Sequence, residues 1–374
     1  MSIAIKKKLA PVAWLAYLLI GFEIVYMISP LALYYYSAYG PSLNFLHRWP
    51  QTAWLSQFFL PHYTESSSWI LNTLHHAGWK IFYAGLILFL LGAGQIYYAK
   101  FTKQGAVTGG LYRWVRNPQY TAFAIMGFGV LLVWPRFLVL VMYVTMLFVY
   151  FWLAKHEEKE CDEKFGESFK KYVANTPMFI PLKLPALPWP EAGMRRVAAN
   201  LLLFGIVLLL TVGIGMGVRN YALNRVSTFY ANDMAVISTT LMSKSEMEKT
   251  LQIALASSEV QNQLAQAGYG AGAKLLNYIV PLNWFLPDLP LEKSPEGVHG
   301  HHQPKAFNRD EYKVLFTKAK LITAQPVADE DIIKKTVARA PLIVVKLNKA
   351  TGEILGIEQP PAHVRWGDIP TPLF

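Results

Sequence analysis

The chain has 374 residues, of which 53% are hydrophobic and 16% charged, with a mean hydropathy of +0.26 and a formal net charge of +11. A soluble domain carries about 25% charged residues, so an ordinary water-soluble protein is excluded, as are a collagen-like, a disordered and a disulfide-scaffold chain. The single cysteine, Cys161, has no partner for an internal disulfide.

The location of the charge decides its meaning. Residues 1–217 hold 18 Lys and Arg against 9 Asp and Glu, and the rest of the chain holds 17 against 15. The basic excess thus lies beside hydrophobic runs, which favours a topogenic and anionic-lipid role and argues against nucleic-acid binding.

A helix needs about 20 apolar residues to cross a bilayer. In chain order, Leu9 to Pro30, Ile81 to Ala99, Phe137 to Ala154 and Val197 to Val218 meet or approach that length. Tyr120 to Trp134 is shorter and is joined to the next run by Pro135-Arg136, so Gln119 to Ala154 reads as a tight helical hairpin. The expected fold is a membrane all-α part of about five transmembrane helices over residues 1–218, followed by a small extracytoplasmic α+β domain over residues 219–374.

Lys6, Lys7 and Lys8 precede the first run and hold the N-terminus in the cytoplasm by the positive-inside tendency. Alternation then places Lys100, Lys103, Arg113, Arg116, the basic residues from Lys155 to Lys183, and Arg195-Arg196 on the same side. That is 15 of the 18 basic residues in this half, with Arg48, Lys80 and Arg136 opposite. A plasma or bacterial inner membrane is the expected location, with the first run retained as a span. Glu23 falls inside that run, where a carboxylate is costly and is neutral, paired or functional. Residues 37–80, with Trp49, Trp54, Trp69, Trp79, Pro50 and Pro61, read as a packed external loop near the water interface.

Two cytoplasmic segments flank the hairpin. The first runs from Thr108 through Gly109-Gly110, Tyr112, Arg113 and Arg116-Asn117-Pro118-Gln119-Tyr120. The glycine pair permits a turn, the arginines supply planar donors for a carboxylate or phosphate, and Pro118 can start a helix. The second runs from Lys155-His156-Glu157-Glu158 to Phe165-Gly166, Tyr172, Pro177 and Pro181. Cys161, Phe165, Phe169, Tyr172 and Val173 recur at helical spacing and predict an amphipathic helix on the membrane surface. His156 reads as an interfacial residue and Cys161 as an apolar-face residue, not a nucleophile.

In order and spacing, Tyr112, Arg116-Asn-Pro-Gln-Tyr120, the apolar hairpin, Glu157-Glu158, Phe165-Gly166 and Tyr172 resemble the isoprenylcysteine carboxyl methyltransferase and phospholipid methyltransferase superfamily. The resemblance covers roughly residues 80–182. It implies an integral membrane methyltransferase that uses S-adenosylmethionine on a membrane lipid or lipidated substrate. It further implies catalytic roles for Arg116, Glu157 and Glu158, and cofactor contacts from Thr108, Gly110, Tyr112, Arg116, Asn117, Pro118, Tyr120 and Glu158. Asn117 stands where that family has histidine, so a titrating ring is replaced by a neutral amide. Methyl transfer from a sulfonium depends mainly on positioning, and a general base is needed only for a protonated acceptor. Glu157 and Glu158 lie about 100° apart on a helix, so one is expected toward the cofactor and the other toward a helix cap or arginine.

Two other readings stay open. Sterol-type, NADPH-dependent reductases are similar in an Arg-x-Pro-Asn-Tyr-like element, although the Glu157-Glu158 pair and the two preceding spans argue against them. A noncatalytic subunit of a membrane complex is the alternative that Asn117 and the C-terminal domain motivate, with a protein partner bound through that domain.

In the C-terminal part, Ser243-Lys-Ser-Glu246 predicts a capping box opening a helix to about Ala267, with Met247, Leu251, Leu255 and Leu264 on its buried side. Gly268 to Gly272 ends it, and Pro281, Pro287 and Pro290 mark an extended stretch. Tyr312 to Ile322 predicts a strand. Leu342 to Leu347 and Glu353 to Ile357 predict a hairpin around Asn348 to Gly352. His299, His301 and His302 match no standard metal spacing and read as a solvated loop, with no metal site expected.

Overall fold

The structure is a computed structural model that describes residues 25, 27–32, 34, 45, 46, 49–182, 193–292, 296, 298 and 300–361. Most of the expected first span, with Lys6 to Lys8 and Glu23, lies outside the described residues, as do Arg48, Lys183 and His299. The chain packs as two compact units: Met1–Ser37, Lys80–Val130 and Met142–Gly205 form one, and Ala38–Trp79, Leu131–Val141 and Ile206–Phe374 the other.

The apolar runs fold as helices α1 (Trp69–Phe101), α2 (Pro118–Val133), α3 (Phe137–Phe165) and α5 (Gly193–Leu223), with the short α4 (Glu167–Asn175) between α3 and α5. Among the described residues α1, α3 and α5 are long and apolar enough to cross a membrane. Of the five expected spans three are therefore met here, and most of the first lies outside the described residues. Helix α2 has 16 residues, about 24 Å at 1.5 Å per residue, which is short of a bilayer's apolar thickness of about 30 Å. Helix α1 also begins at Trp69, so the end of the expected external loop, including Trp79 and Lys80, is helical.

In the first unit α2 occupies the centre, with Ala122, Phe123, Met126 and Val130 buried. A Cβ on Gly85 of α1 would lie 2.7 Å from the Met126 side chain and 2.9 Å from the Ala122 carbonyl, so glycine sets the close approach of α1 to α2. Tyr143 of α3 donates to the Ala124 carbonyl at 3.0 Å, and Tyr34 donates to the Gly127 carbonyl at 2.8 Å. The outer walls are different. Ile87, Leu90 and Leu91 of α1 and Leu201, Leu202 and Leu203 of α5 are exposed. Exposed apolar side chains in such number suit contact with lipid rather than water.

Gly166 takes φ +57°, a left-handed conformation that glycine adopts without a Cβ penalty. It separates α3 from α4, so the amphipathic stretch expected as one surface helix is two helices. Their shared apolar side, Cys161, Phe165, Phe169 and Tyr172, lines a cavity.

The second unit is built on a six-stranded mixed sheet, in the order β1 (Ser227–Ala231), β2 (Met234–Ser238), β3 (Leu275–Pro281), β4 (Glu311–Leu321), β5 (Thr336–Asn348) and β6 (Glu353–Glu358). Only β2 and β3 run parallel, because α6 (Lys244–Leu255) and α7 (Ser258–Gln266) form the crossover between them. Asn232 and Asp233 both have positive φ, as a two-residue primed turn joining β1 to β2 demands. Strands β4, β5 and β6 fulfil the sequence expectation, and the Asn348 to Gly352 loop turns with Gly352 at φ +74°.

The capping box at Ser243 forms as expected, with reciprocal bonds between Ser243 and Glu246. The single helix expected to Ala267 is instead interrupted at Ala256-Ser257, where Ser257 adopts an extended N-cap conformation. Met247, Leu251 and Leu264 are buried against Val236, Ile279, Val314, Phe316 and Val345, while Leu255 is only partly buried. Residues 57–67 pack within this same unit: Phe58 and Leu60 are buried, Gln57 Nε2 donates to the Thr336 carbonyl at 2.7 Å, and Glu65 N donates to the Thr239 carbonyl at 2.9 Å.

Candidate active site

Both motif segments converge in the first unit. After α1 the chain turns at Gly109-Gly110 into a short 3-10 turn over Gly110–Arg113, with Gly110 at φ +59°. A Cβ there would run into the Gln95 side chain, and Gln95 Oε1 accepts the Leu111 N–H at 3.2 Å. The glycine is thus required by conformation, and a side chain there would also displace the Gln95 amide. The turn buries Tyr112, whose carbonyl accepts the Tyr172 hydroxyl of α4 at 2.6 Å.

Residues 116–117 are then stitched to the exit of α4. Arg116 N donates to the Pro177 carbonyl at 2.9 Å and Asn117 N to the Met178 carbonyl at 3.1 Å, before Pro118 opens α2. Thr121 Oγ1 adds a bond to the Phe179 carbonyl at 2.9 Å. Arg116 Nε donates to Glu158 Oε1 at 2.7 Å, and its Nη1 donates to the carbonyls of Val173, at 3.0 Å, and Thr176. Asn117 Nδ2 donates to the same Glu158 oxygen at 3.1 Å, and Lys155 Nζ lies 3.4 Å from Glu158 Oε2. The side chains of Arg116 and Glu158 are only 10% and 11% exposed, so this is a nearly dehydrated ion pair with its oxygens well supplied with donors.

Glu157 points elsewhere: its Oε1 accepts the Tyr120 hydroxyl. Adjacent residues on α3 face different partners, as their helical offset demands. Glu158 takes the arginine, and Glu157 meets the tyrosine at the start of α2.

These groups border a cavity of about 430 Å³, within the ~300–1,000 Å³ range of small-molecule sites. Of the residues expected at the site, Tyr112, Arg116, Asn117, Tyr120, Glu157 and Glu158 line it, whereas Thr108, Gly110 and Pro118 do not. Thr108 is exposed, Gly110 shapes the turn, and Pro118 starts the helix. The wall also includes Tyr97, Lys100, the Gln104–Val107 segment, Glu160, Lys164 and Phe169, none of which was anticipated as a site residue. Only the proximity of 100–107 to the glycine turn hinted at them. His156 is exposed beside Glu160 and is not part of the lining. Burial pushes the Tyr172 hydroxyl up to about 12 and raises that of Tyr112 further, so both act as neutral phenols near neutral pH.

A second cavity of about 750 Å³ is lined by Ile125, Phe128, Leu147, Phe148, Phe151, Trp152, Phe179 and Leu203. It is almost wholly apolar. Tyr120 lines both cavities, so one side chain separates a charged, aromatic chamber from an oily one.

Residues 74–168, about a quarter of the chain, match the family model PEMT, phospholipid methyltransferase, of the isoprenylcysteine and phospholipid methyltransferase superfamily. The matched stretch contains the glycine turn, α2, α3 and both glutamates. No curated protein and no solved structure matches the chain.

Proposed function

We propose that this domain transfers a methyl group from S-adenosylmethionine to a membrane-borne, lipid-like or prenylated acceptor. The observation that carries the reading is the pair of cavities that share Tyr120 as a wall, one polar and one apolar. The donor set of the polar chamber fits the cofactor. Glu157 offers a carboxylate oxygen for an ammonium or ribose hydroxyl, Lys100 and Lys164 offer cations for a carboxylate, and Tyr97, Tyr112 and Tyr172 offer rings against which a sulfonium is favourable. Bound there, S-adenosylmethionine would supply an electrophilic methyl group.

The chain's own residues provide position and dehydration. The Arg116–Glu158 pair holds α3 against the α4 exit, and Asn117 supplies a second donor to the same carboxylate. A neutral amide suffices for that bond, so the absence of histidine at this position is compatible with the reading. Arg116 is a positioning residue because its Nε and Nη1 are already engaged by protein acceptors. Tyr120, which lines both chambers and donates to Glu157, orients the acceptor headgroup. Phe148, Phe151 and Phe179 line the apolar chamber and exclude water from the acceptor's tail.

The clustering of 15 of 18 basic residues at alternate span ends supports a cytoplasmic placement of this chamber, with residues 219–374 on the far side and an inner or plasma membrane as the host. The decisive experiment is calorimetric titration of S-adenosylmethionine into the full chain in nanodiscs, followed by transfer of labelled methyl to extracted lipid. Stoichiometric binding that Glu157→Gln weakens is expected. Absence of binding by the wild-type protein would overturn the proposal.

A further inference from the structure

A separate cluster lies in the second unit, on residues that the methyl-transfer reading does not use. His62 is completely buried, and its Nδ1 has no hydrogen-bond partner among the described residues. A buried imidazole is costly to leave without full polar partners. Its Nε2 faces Asp288 Oδ2 at 3.4 Å, and His301 Nε2 lies 2.7 Å from the same oxygen. The side chains of Asp288 and His301 are 7% and 9% exposed, so the His301 side chain is not in the solvated loop that its sequence context suggested. Among the described residues His302 pairs through its backbone with Phe285.

We propose that His62, Asp288 and His301 form a binding site for one borderline transition-metal dication, of which Zn(II) is the best match. One ligand atom from each residue lies within 4.8 Å of the others. Tetrahedral bonds of 2.0–2.1 Å separate neighbouring ligand atoms by roughly 3.3 Å, and the two measured separations to Asp288 bracket that value. Two of the three donor separations therefore stand close to ligand spacing, and the third is within 4.8 Å. Two imidazoles and one carboxylate suit Zn(II), whereas Ca²⁺ and Mg²⁺ demand six or more oxygens.

The surroundings fix the ligands in place. Tyr63 stacks on the His301 ring at a centroid distance of 3.5 Å, and Phe58 stacks on His62 at 4.6 Å. Asp288 Oδ1 points away from the imidazoles toward Arg136 Nη2, 4.0 Å distant, the outer-partner arrangement that orients a ligating carboxylate. The positive charge of Arg136 favours an anionic fourth ligand such as hydroxide. Both rings coordinate through Nε2 with the proton on Nδ1, so the His301–Asp288 hydrogen bond gives way to two metal bonds.

The test uses the full chain in detergent, stripped with chelator, incubated with Zn(II) and desalted, with metal measured by mass spectrometry. One zinc per chain is expected, together with a higher melting temperature. Neither His301→Gln nor Asp288→Asn should retain zinc or show that shift, and the affinity loss should exceed the ~10–100-fold typical of losing an outer partner. If a variant does not fold, Co(II) added to the wild-type protein should give the visible bands of a four-coordinate nitrogen and oxygen site, displaced by Zn(II). Failure of the wild-type protein to retain zinc, retention of zinc by a folded His301→Gln variant, or preference for Mg²⁺ or Ca²⁺ would each overturn the proposal.

Discussion

Replacing Arg116 and Glu158 singly and together tests whether their ion pair holds the candidate site in shape. In the wild-type chain Arg116 bonds to Glu158 and to the carbonyls of Val173 and Thr176, and both side chains are about nine-tenths buried. Breaking such a pair from one side costs about 3–5 kcal/mol because the remaining charge is stranded. Each single alanine variant is therefore expected to lose about that much, with Glu158→Ala also depriving Asn117 of its acceptor. Removing both charges together spares the stranded-charge penalty, so the double variant should lose less than the sum, leaving a coupling energy of about 2–3 kcal/mol. An exposed ion pair couples by only about 0.2–1 kcal/mol. SDS-driven unfolding in mixed micelles, read by circular dichroism, gives the four stabilities of the cycle. A coupling below about 1 kcal/mol would refute the view that this pair is a dehydrated clamp.

Gly110→Ala should destabilise the turn by about 1–3 kcal/mol, since it forces a side chain into left-handed backbone and into Gln95, and thermal unfolding followed by cofactor titration measures both consequences. Phe148→Ala should raise the acceptor KM with little change in cofactor affinity, because Phe148 lines only the apolar chamber; an equal loss of cofactor binding would contradict the two-chamber assignment. In the second unit, the Lys349 ammonium and the Ser243 backbone N–H hold Glu246 down at about 2. A depressed folded-state value gives stability that is present above the unfolded carboxyl's ordinary value near 4.3 and is lost as pH falls toward 2. Glu246 is nearly half exposed, so solvent screening keeps the effect small. Acid titration of unfolding should show Glu246→Gln less sensitive than wild type across that window, and identical profiles would refute the assignment.

Much of the local structure was legible because it depends on neighbours in the chain. The length of the apolar runs specifies helices, Ser243 and Glu246 specify a cap, and Asn348 to Gly352 specifies a turn. The β1–β2 hairpin was not legible, because its strands are five residues each and show little pattern. Strand β3 was missed for another reason: it is buried on both faces, so it lacks the alternation that marks a half-exposed strand.

The motif order from Tyr112 to Tyr172 and the helical offset of Glu157 from Glu158 were determined by sequence, and with them the expectation that the two glutamates serve different partners. Only the tertiary structure decided which one takes Arg116, that Gln104–Val107 lines the polar chamber, and that Tyr120 borders both it and an apolar one. The same holds for His62, Asp288 and His301, which sit in unrelated local contexts and meet only when the sheet unit folds. Periodicity and capping report interactions within a few residues. Contacts between distant segments depend on how helices and strands pack, and hydrophobic burial is non-directional, so local pattern alone leaves those pairings undetermined.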